Sequence, residues 1–133
     1  MTTLLLIDDS THVTELFAAF VVRSLGWRVL TAAGPGEVTA EVLAERPDVV
    51  VADLVFPGSA ITGVELLRRV RAALPEACLV AASSGDDWVL AAERQARVEP
   101  GVVAVLDTTA PLAEQLDLLV RAAGCRQHVV SNM

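Results

Sequence analysis

Lysine is absent from the 133-residue sequence, so all ten basic side chains are arginines and no ammonium side chain is available to pair with an anion. Tyrosine is absent too, and aromatic residues make up only 4% of the chain. The two cysteines, Cys78 and Cys125, show no CxxC spacing and no histidine cluster nearby. They read as two isolated thiols, with neither a disulfide framework nor a zinc site. Long apolar runs are also missing: the longest, Leu16 to Val22, falls far short of the roughly 18 residues that span a bilayer. The N-terminus, MTTLLLIDDS, lacks the basic region of a signal peptide, so the expectation is a cytoplasmic protein without membrane insertion. Basic charge is in deficit, with 10 residues against 17 acidic ones and a net charge of -7. That sign is wrong for direct nucleic-acid binding.

What is present is globular. A composition 53% hydrophobic and 20% charged, with 8 Gly and 6 Pro, excludes disorder, collagen-like repeats and a coiled coil. A chain of this length argues for one domain. It buries roughly two thirds of its unfolded surface, enough for a core without covalent staples.

Short apolar runs alternate with segments of helical period, as in βα units. Thr3 to Ile7 is a first strand, and Val13, Leu16, Phe17, Phe20, Val21 and Leu25 then recur on one helical face. Ser10 or Thr11 can cap that helix and Gly26 can end it. Arg28 to Thr31 is a second strand, followed by Pro35 at a first helical turn and a helix running to about Glu45. Asp48 to Asp53 contains a continuous apolar run of the kind buried on both faces of a parallel sheet. Phe56 to Gly63 is loop chemistry, and a helix from Val64 to Leu74 ends at Pro75. Cys78 to Ala82, with Cys78 as a small core residue, and Val102 to Leu106 are the fourth and fifth strands. The Ala-rich Asp86 to Val98 is a fourth helix, and Pro111 to Ala123, with Leu112, Leu116, Leu119 and Val120 on one face, is the fifth.

Alternating strands and helices with short loops give a parallel sheet with helices on both faces, whose ligands gather at the carboxyl ends of the strands. Those ends carry Asp8 and Asp9, Asp53, Ser83 and Ser84, and Asp107 with Thr108 and Thr109. Carboxylates converging at one sheet edge repel unless a cation sits among them or a pKa rises. Magnesium, a hard ion that uses one or two carboxylates with waters and phosphate oxygens, suits them. One Asp could equally be a nucleophile towards a phosphoryl group.

Leu6-Ile7-Asp8-Asp9-Ser10, together with Pro47-Asp48 through Asp53 to Pro57, resembles the paired acidic motif and the phosphoacceptor strand and Pro loop of response-regulator receiver domains. These belong to two-component signalling and include the single-domain chemotaxis type. The resemblance covers Leu4 to about Ala123. It implies an α/β, flavodoxin-like (βα)5 three-layer sandwich with a five-stranded parallel sheet in the order 2-1-3-4-5. The receiver would occupy residues 1–123, with a C-terminal tail over 124–133. Asp53 would accept a phosphoryl group from a sensor histidine kinase or phosphotransfer protein. Asp8, Asp9, Asp53 and the Val55 carbonyl would hold Mg2+, and Ser83 would be the switch hydroxyl. Such a domain is no enzyme beyond phosphorylating and dephosphorylating itself. It would signal to a downstream protein partner through the fourth helix, fifth strand and fifth helix.

Three positions depart from the family. Thr108 stands where the family has a Lys, and Arg97 is the remote stand-in; the lost cation removes a contact worth roughly 1.5 to 3 kcal/mol. The loop from Pro57 to Gly63 is about two residues longer than the family pattern. Val105 replaces an aromatic switch residue. These departures support an alternative, a pseudo-receiver that works as a phosphorylation-independent interaction module. A haloacid-dehalogenase-like phosphatase is more remote, since the first strand is not followed by DxD. Ser83-Ser84-Gly85 is not the elbow of a hydrolase, and His12 and His128 lie in the first helix and the tail. No glycine pattern of the GxGxxG or Walker kind appears. Trp27 and Trp88 read as packing residues, and Arg68, Arg69 and Arg71 as a solvated basic face.

Overall fold

The computed structural model describes residues 1–125. Five strands, β1 (Thr3–Ile7), β2 (Arg28–Ala32), β3 (Val49–Asp53), β4 (Cys78–Ser83) and β5 (Val102–Asp107), alternate with five helices. These are α1 (Thr11–Leu25), α2 (Ala40–Ala44), α3 (Gly63–Ala73), α4 (Leu90–Val98) and α5 (Leu112–Ala123). The strands are all parallel in the order β2-β1-β3-β4-β5, the flavodoxin-like arrangement expected from the sequence.

Parallel strands buried on both faces are near-continuously apolar, and β1, β3 and β4 follow that pattern with Leu, Val, Ile, Cys and Ala between the polar residues at their ends, Thr3, Asp53 and Ser83. Successive side chains then enter opposite layers. Leu5, Ile7, Val50, Ala52, Leu79 and Ala81 pack with Leu67, Val70 and Ala96 on one face. Leu4, Leu6, Val49, Val51, Val80 and Ala82 pack with Val21, Leu119 and Ala122 on the other. The edge strand β5 is more open and carries an irregularity, Leu79 facing Val102 but Val80 facing Ala104. A local bulge of this kind blunts an edge.

Several local expectations change in three dimensions. α1 turns Thr14, Phe17 and Val21 toward the sheet, while Val13, Leu16 and Phe20 are exposed. Thr14 is tolerated inside because its hydroxyl donates to the Ser10 carbonyl at 2.8 Å, which satisfies the buried polar group. Ser10 occupies the N-cap without a side-chain capping bond, and Gly26 closes the helix in the left-handed region at φ 69°. The second helix is only Ala40–Ala44, preceded by a 3-10 turn at Pro35–Glu37. Thr39 interrupts the longer helix read from the sequence by capping this short one, its hydroxyl accepting from the Val42 N–H. α4 likewise begins after a 3-10 turn at Asp87–Val89, and Trp88 in that turn is 68% exposed instead of packed. Trp27 does pack against the core.

The largest correction concerns the cysteines. Cys78 and Cys125 are not free thiols: they form a disulfide, with Cα atoms 6.1 Å apart. Spacing could not reveal it, because the sheet brings the start of β4 to the end of α5 across 47 positions. The basic face of α3 is also partly neutralised, as Arg68 grips both carboxylate oxygens of Glu99 at 2.7 and 2.9 Å. Of the tail read from residue 124 onward, residues 126–133 lie outside the described residues. Among the described residues, no helix is long and apolar enough to cross a membrane.

Candidate functional site

In an open parallel sheet the ligand crevice forms where the strand order reverses. Here that point lies between β1 and β3, adjacent strands in which Ile7 faces Ala52. Asp8 and Asp9 leave the end of β1, and Asp53 ends β3. Their carboxylates come together with one oxygen of each within 4.8 Å of the others. The three residues sit at graded depth, Asp8 and Asp53 partly buried and Asp9 exposed. The Ser10 N–H donates to Asp8 Oδ1 at 2.8 Å and fixes its orientation. The ion pairs found among the described residues all lie elsewhere, so no guanidinium pairs with this cluster.

The electrostatic consequence is a rise in pKa. Burial pushes Asp53 up from 3.8 to about 6, the Asp8 charge adds to the rise, and the Val55 N–H opposes it. Asp8 is raised chiefly by burial, with a smaller push from Asp9. Asp53 thus holds its proton more tightly folded than unfolded, so its contribution to stability falls as pH climbs from 3.8 through about 6 and stays unfavourable above. A shift of that size corresponds to about 3 kcal/mol for a fully shielded group, and solvent screening at this part-exposed site reduces it to about 1–2 kcal/mol. Asp53→Asn is therefore expected to gain about 1–2 kcal/mol at neutral pH in metal-free buffer. The gain should vanish below the unperturbed value of 3.8. Urea midpoints of the two proteins at each pH measure it, and equal midpoints at neutral pH would disprove it.

The remaining candidate residues surround this cluster. Asp53 faces Ala82 on β4, and the Leu54 N–H donates to the Ala82 carbonyl at 3.1 Å. Ser83, next along β4, is only 3% exposed. Its hydroxyl lies 3.3 Å from Glu93 Oε2 and accepts the Gly85 N–H at 3.1 Å. Thr108 follows β5 and donates both its N–H (3.0 Å) and its hydroxyl (3.3 Å) to the Ser83 carbonyl. Arg97 is engaged by Glu93 Oε1 at 2.8 Å. Asp107 does not join the acidic group: the Thr109 hydroxyl and N–H hold its carboxylate and keep it below its usual pKa. Val105 is part-buried on the sheet face it shares with α3 and α4.

The loop before α3 is organised by its own backbone. The Ser59 N–H bonds to the Phe56 carbonyl, Thr62 caps α3 by accepting from the Glu65 N–H, and the Gly63 N–H returns to the Leu54 carbonyl. Beside Asp9 this loop and the segment after β2 border an open cleft of about 320 Å³. On the other side, Asp8 and Thr108 meet an apolar cavity of about 230 Å³ between α1 and α5. Sequence reasoning missed two residues. Glu93 gave no motif, and the close packing at Gly63 is invisible until α3 is laid against β3.

The donor set fits a hard divalent cation: three carboxylate oxygens, no nitrogen or sulfur ligand, and mutual repulsion that a cation would relieve. Comparison with known proteins agrees with the architecture. No family model matches the chain. A probable transcriptional regulatory protein of Mycobacterium tuberculosis, TcrX, is 31% identical over 90 residues. That alignment covers 65% of this chain and 37% of TcrX, so the chain spans well under half of that relative. A CheY-like receiver domain protein of Methanospirillum hungatei superposes with TM-score 0.81 at 18% identity, over 96% of this chain and 98% of the other. The chemotaxis protein CheY4 of Vibrio cholerae gives 0.76 at 21%, over 92% and 98%. A putative response regulator of Chloroflexus aurantiacus gives 0.73 at 25%, over 92% and 98%. The chain has the fold of the CheY-like response-regulator receiver domains.

Proposed function

We propose that this chain is a two-component receiver in which Asp53 accepts a phosphoryl group from a histidine kinase or phosphotransfer protein. The observation that carries this reading is the meeting of Asp8, Asp9 and Asp53 at the point where strand order reverses, unpaired with any basic side chain among the described residues. An Asp53 carboxylate oxygen attacks phosphorus, the bond to the donor imidazole nitrogen breaks, and an acyl phosphate forms. Asp8, Asp9, Asp53 and the Val55 carbonyl would hold Mg2+, which supplies charge neutralisation for the transferring phosphoryl oxygens. Ser83, one residue beyond the Ala82 that faces Asp53 across the sheet, would donate its hydroxyl to a phosphoryl oxygen. The domain would work in the cytoplasm over residues 1–123 and pass its state to a protein partner around α4, β5 and α5. On this reading it is a signalling domain and no enzyme beyond its own phosphorylation and dephosphorylation.

A second reading, the phosphorylation-independent interaction module, draws on Thr108. Thr108 is neutral and its hydroxyl and N–H are both spent on the Ser83 carbonyl, so this residue offers a phosphoryl group no cation. Intact mass after incubation with acetyl phosphate and Mg2+ separates the two. The expected result is a single phosphoryl adduct on the wild type and none on Asp53→Asn. No adduct on the wild type from acetyl phosphate or a phosphohistidine donor would sink the receiver reading in favour of the module.

A further inference from the structure

Ser83 is tied twice. Its carbonyl accepts from Thr108, and its hydroxyl reaches across to Glu93 in α4 at 3.3 Å. Glu93 is itself well enclosed, its side chain 19% exposed, and its second oxygen binds Arg97 one helical turn on. The hydroxyl also accepts the Gly85 N–H, so its orientation is set from both sides. A serine hydroxyl carries one proton and can donate it to one acceptor at a time. Within this hydrogen-bond network, α4 and any acceptor arriving at Asp53 therefore compete for the same proton.

We infer that Glu93 is a positioning residue: it holds the Ser83 hydroxyl on α4 in the unmodified protein, so that phosphorylation of Asp53 and this α4 contact exclude one another. The Glu93 contact stands on geometry alone, while the exclusion rests on the receiver reading above. A phosphoryl group is a charge-dense acceptor, whereas the Glu93 carboxylate already shares its charge with Arg97. Once Ser83 turns to the phosphoryl oxygen, Glu93 loses its inner partner and faces a new anion. The buried residues left to hold α4 and the turn before it are then Val89 and Ala96. Trp88 projects from the turn just before it, and an indole there reports the release. The arrangement is a two-state element biased by a local charge, the requirement for a switch.

The test is a mutant cycle read by amide hydrogen exchange over residues 84–92. In the unmodified protein Ser83→Ala and Glu93→Ala should each raise exchange about three- to tenfold, the range expected when one hydrogen bond is lost from a locally opening segment. The double variant should exchange no faster than Ser83→Ala, which also frees the Gly85 N–H. Glu93→Gln keeps an acceptor oxygen and should restore most of the protection. Arg97→Ala should have a smaller effect than Glu93→Ala. Additive effects in the double variant, or an Arg97→Ala effect equal to that of Glu93→Ala, would overturn the inference. In protein whose phosphoryl adduct is verified by mass, wild-type exchange over these residues should rise to the level of unmodified Glu93→Ala, with a change in Trp88 fluorescence. Unchanged exchange in the adduct would overturn the exclusion. A wild type that forms no adduct defeats the receiver reading and with it the exclusion, while the cycle on unmodified protein still decides the Glu93 contact.

Discussion

Gly63→Ala is expected to destabilise the protein by about 3 kcal/mol or more, at the upper end of what overpacking costs. A Cβ at this position would lie 1.9 Å from the Asp53 carbonyl oxygen and 2.7 Å from the Leu54 Cα. Both are backbone atoms, so no rotamer change relieves the overlap. The same glycine donates its N–H to the Leu54 carbonyl at 2.9 Å, which clamps the start of α3 to the end of β3. Relief therefore requires the helix to lift or the strand end to move, and that strand end carries Asp53. The substitution should reduce the yield of any Asp53 adduct as well as the urea midpoint. Gly36→Ala is the control: a Cβ there meets nothing within 4 Å, so its effect should stay within about 0.5 kcal/mol. Equal midpoints for the two variants would show that the close approach has no energetic weight.

Breaking the Cys78–Cys125 bond should also be costly. The bond closes a loop across 47 positions, for which the loss of unfolded-chain entropy sets a scale of about 4 kcal/mol, with about 2–4 typical of measured disulfides. Cys78 is fully buried at the start of β4, and Cys125 packs against the same face of the sheet as α5. The reduced sulfurs remain small apolar residues in that layer, so the reduced protein should stay folded with a lower urea midpoint. Unfolding with and without a phosphine reductant measures the difference. The double variant Cys78→Ala, Cys125→Ala should behave as the reduced wild type and be insensitive to reductant. A wild type indifferent to reduction would show that the bond contributes nothing to stability. This is a core with a covalent staple, where composition alone called for none.

How far the molecule was legible depended on the range of the signal. Apolar runs of Leu and Val marked β1, β3 and β4, because a strand buried on both faces is near-continuously apolar. Short apolar runs and the 3.6-residue period placed every strand and the long helices near their observed positions. The same periodicity misjudged α1, since a helix with apolar residues on more than one side does not declare which side meets the sheet. Val13, Leu16 and Phe20 stayed outside while Thr14 went in. It also overextended α2, where a single Thr39 side chain bonding to the backbone outweighed propensity.

By itself the sequence determined the βα alternation, the two-layered apolar pattern that sandwiches the sheet, and the supply of carboxylates at strand ends. These follow from side-chain chemistry repeated over a few residues, which each segment expresses on its own. The order 2-1-3-4-5 and the meeting of Asp8, Asp9 and Asp53 were implied by the motif resemblance, and the tertiary structure sets β1 beside β3 with the three carboxylates in one cluster. It alone set Glu93 against Ser83, Gly63 against the Asp53 backbone, and Cys125 against Cys78. Each of those contacts joins residues far apart in the chain, and it exists only because strand register and helix packing fix two distant backbones within a few ångströms of each other.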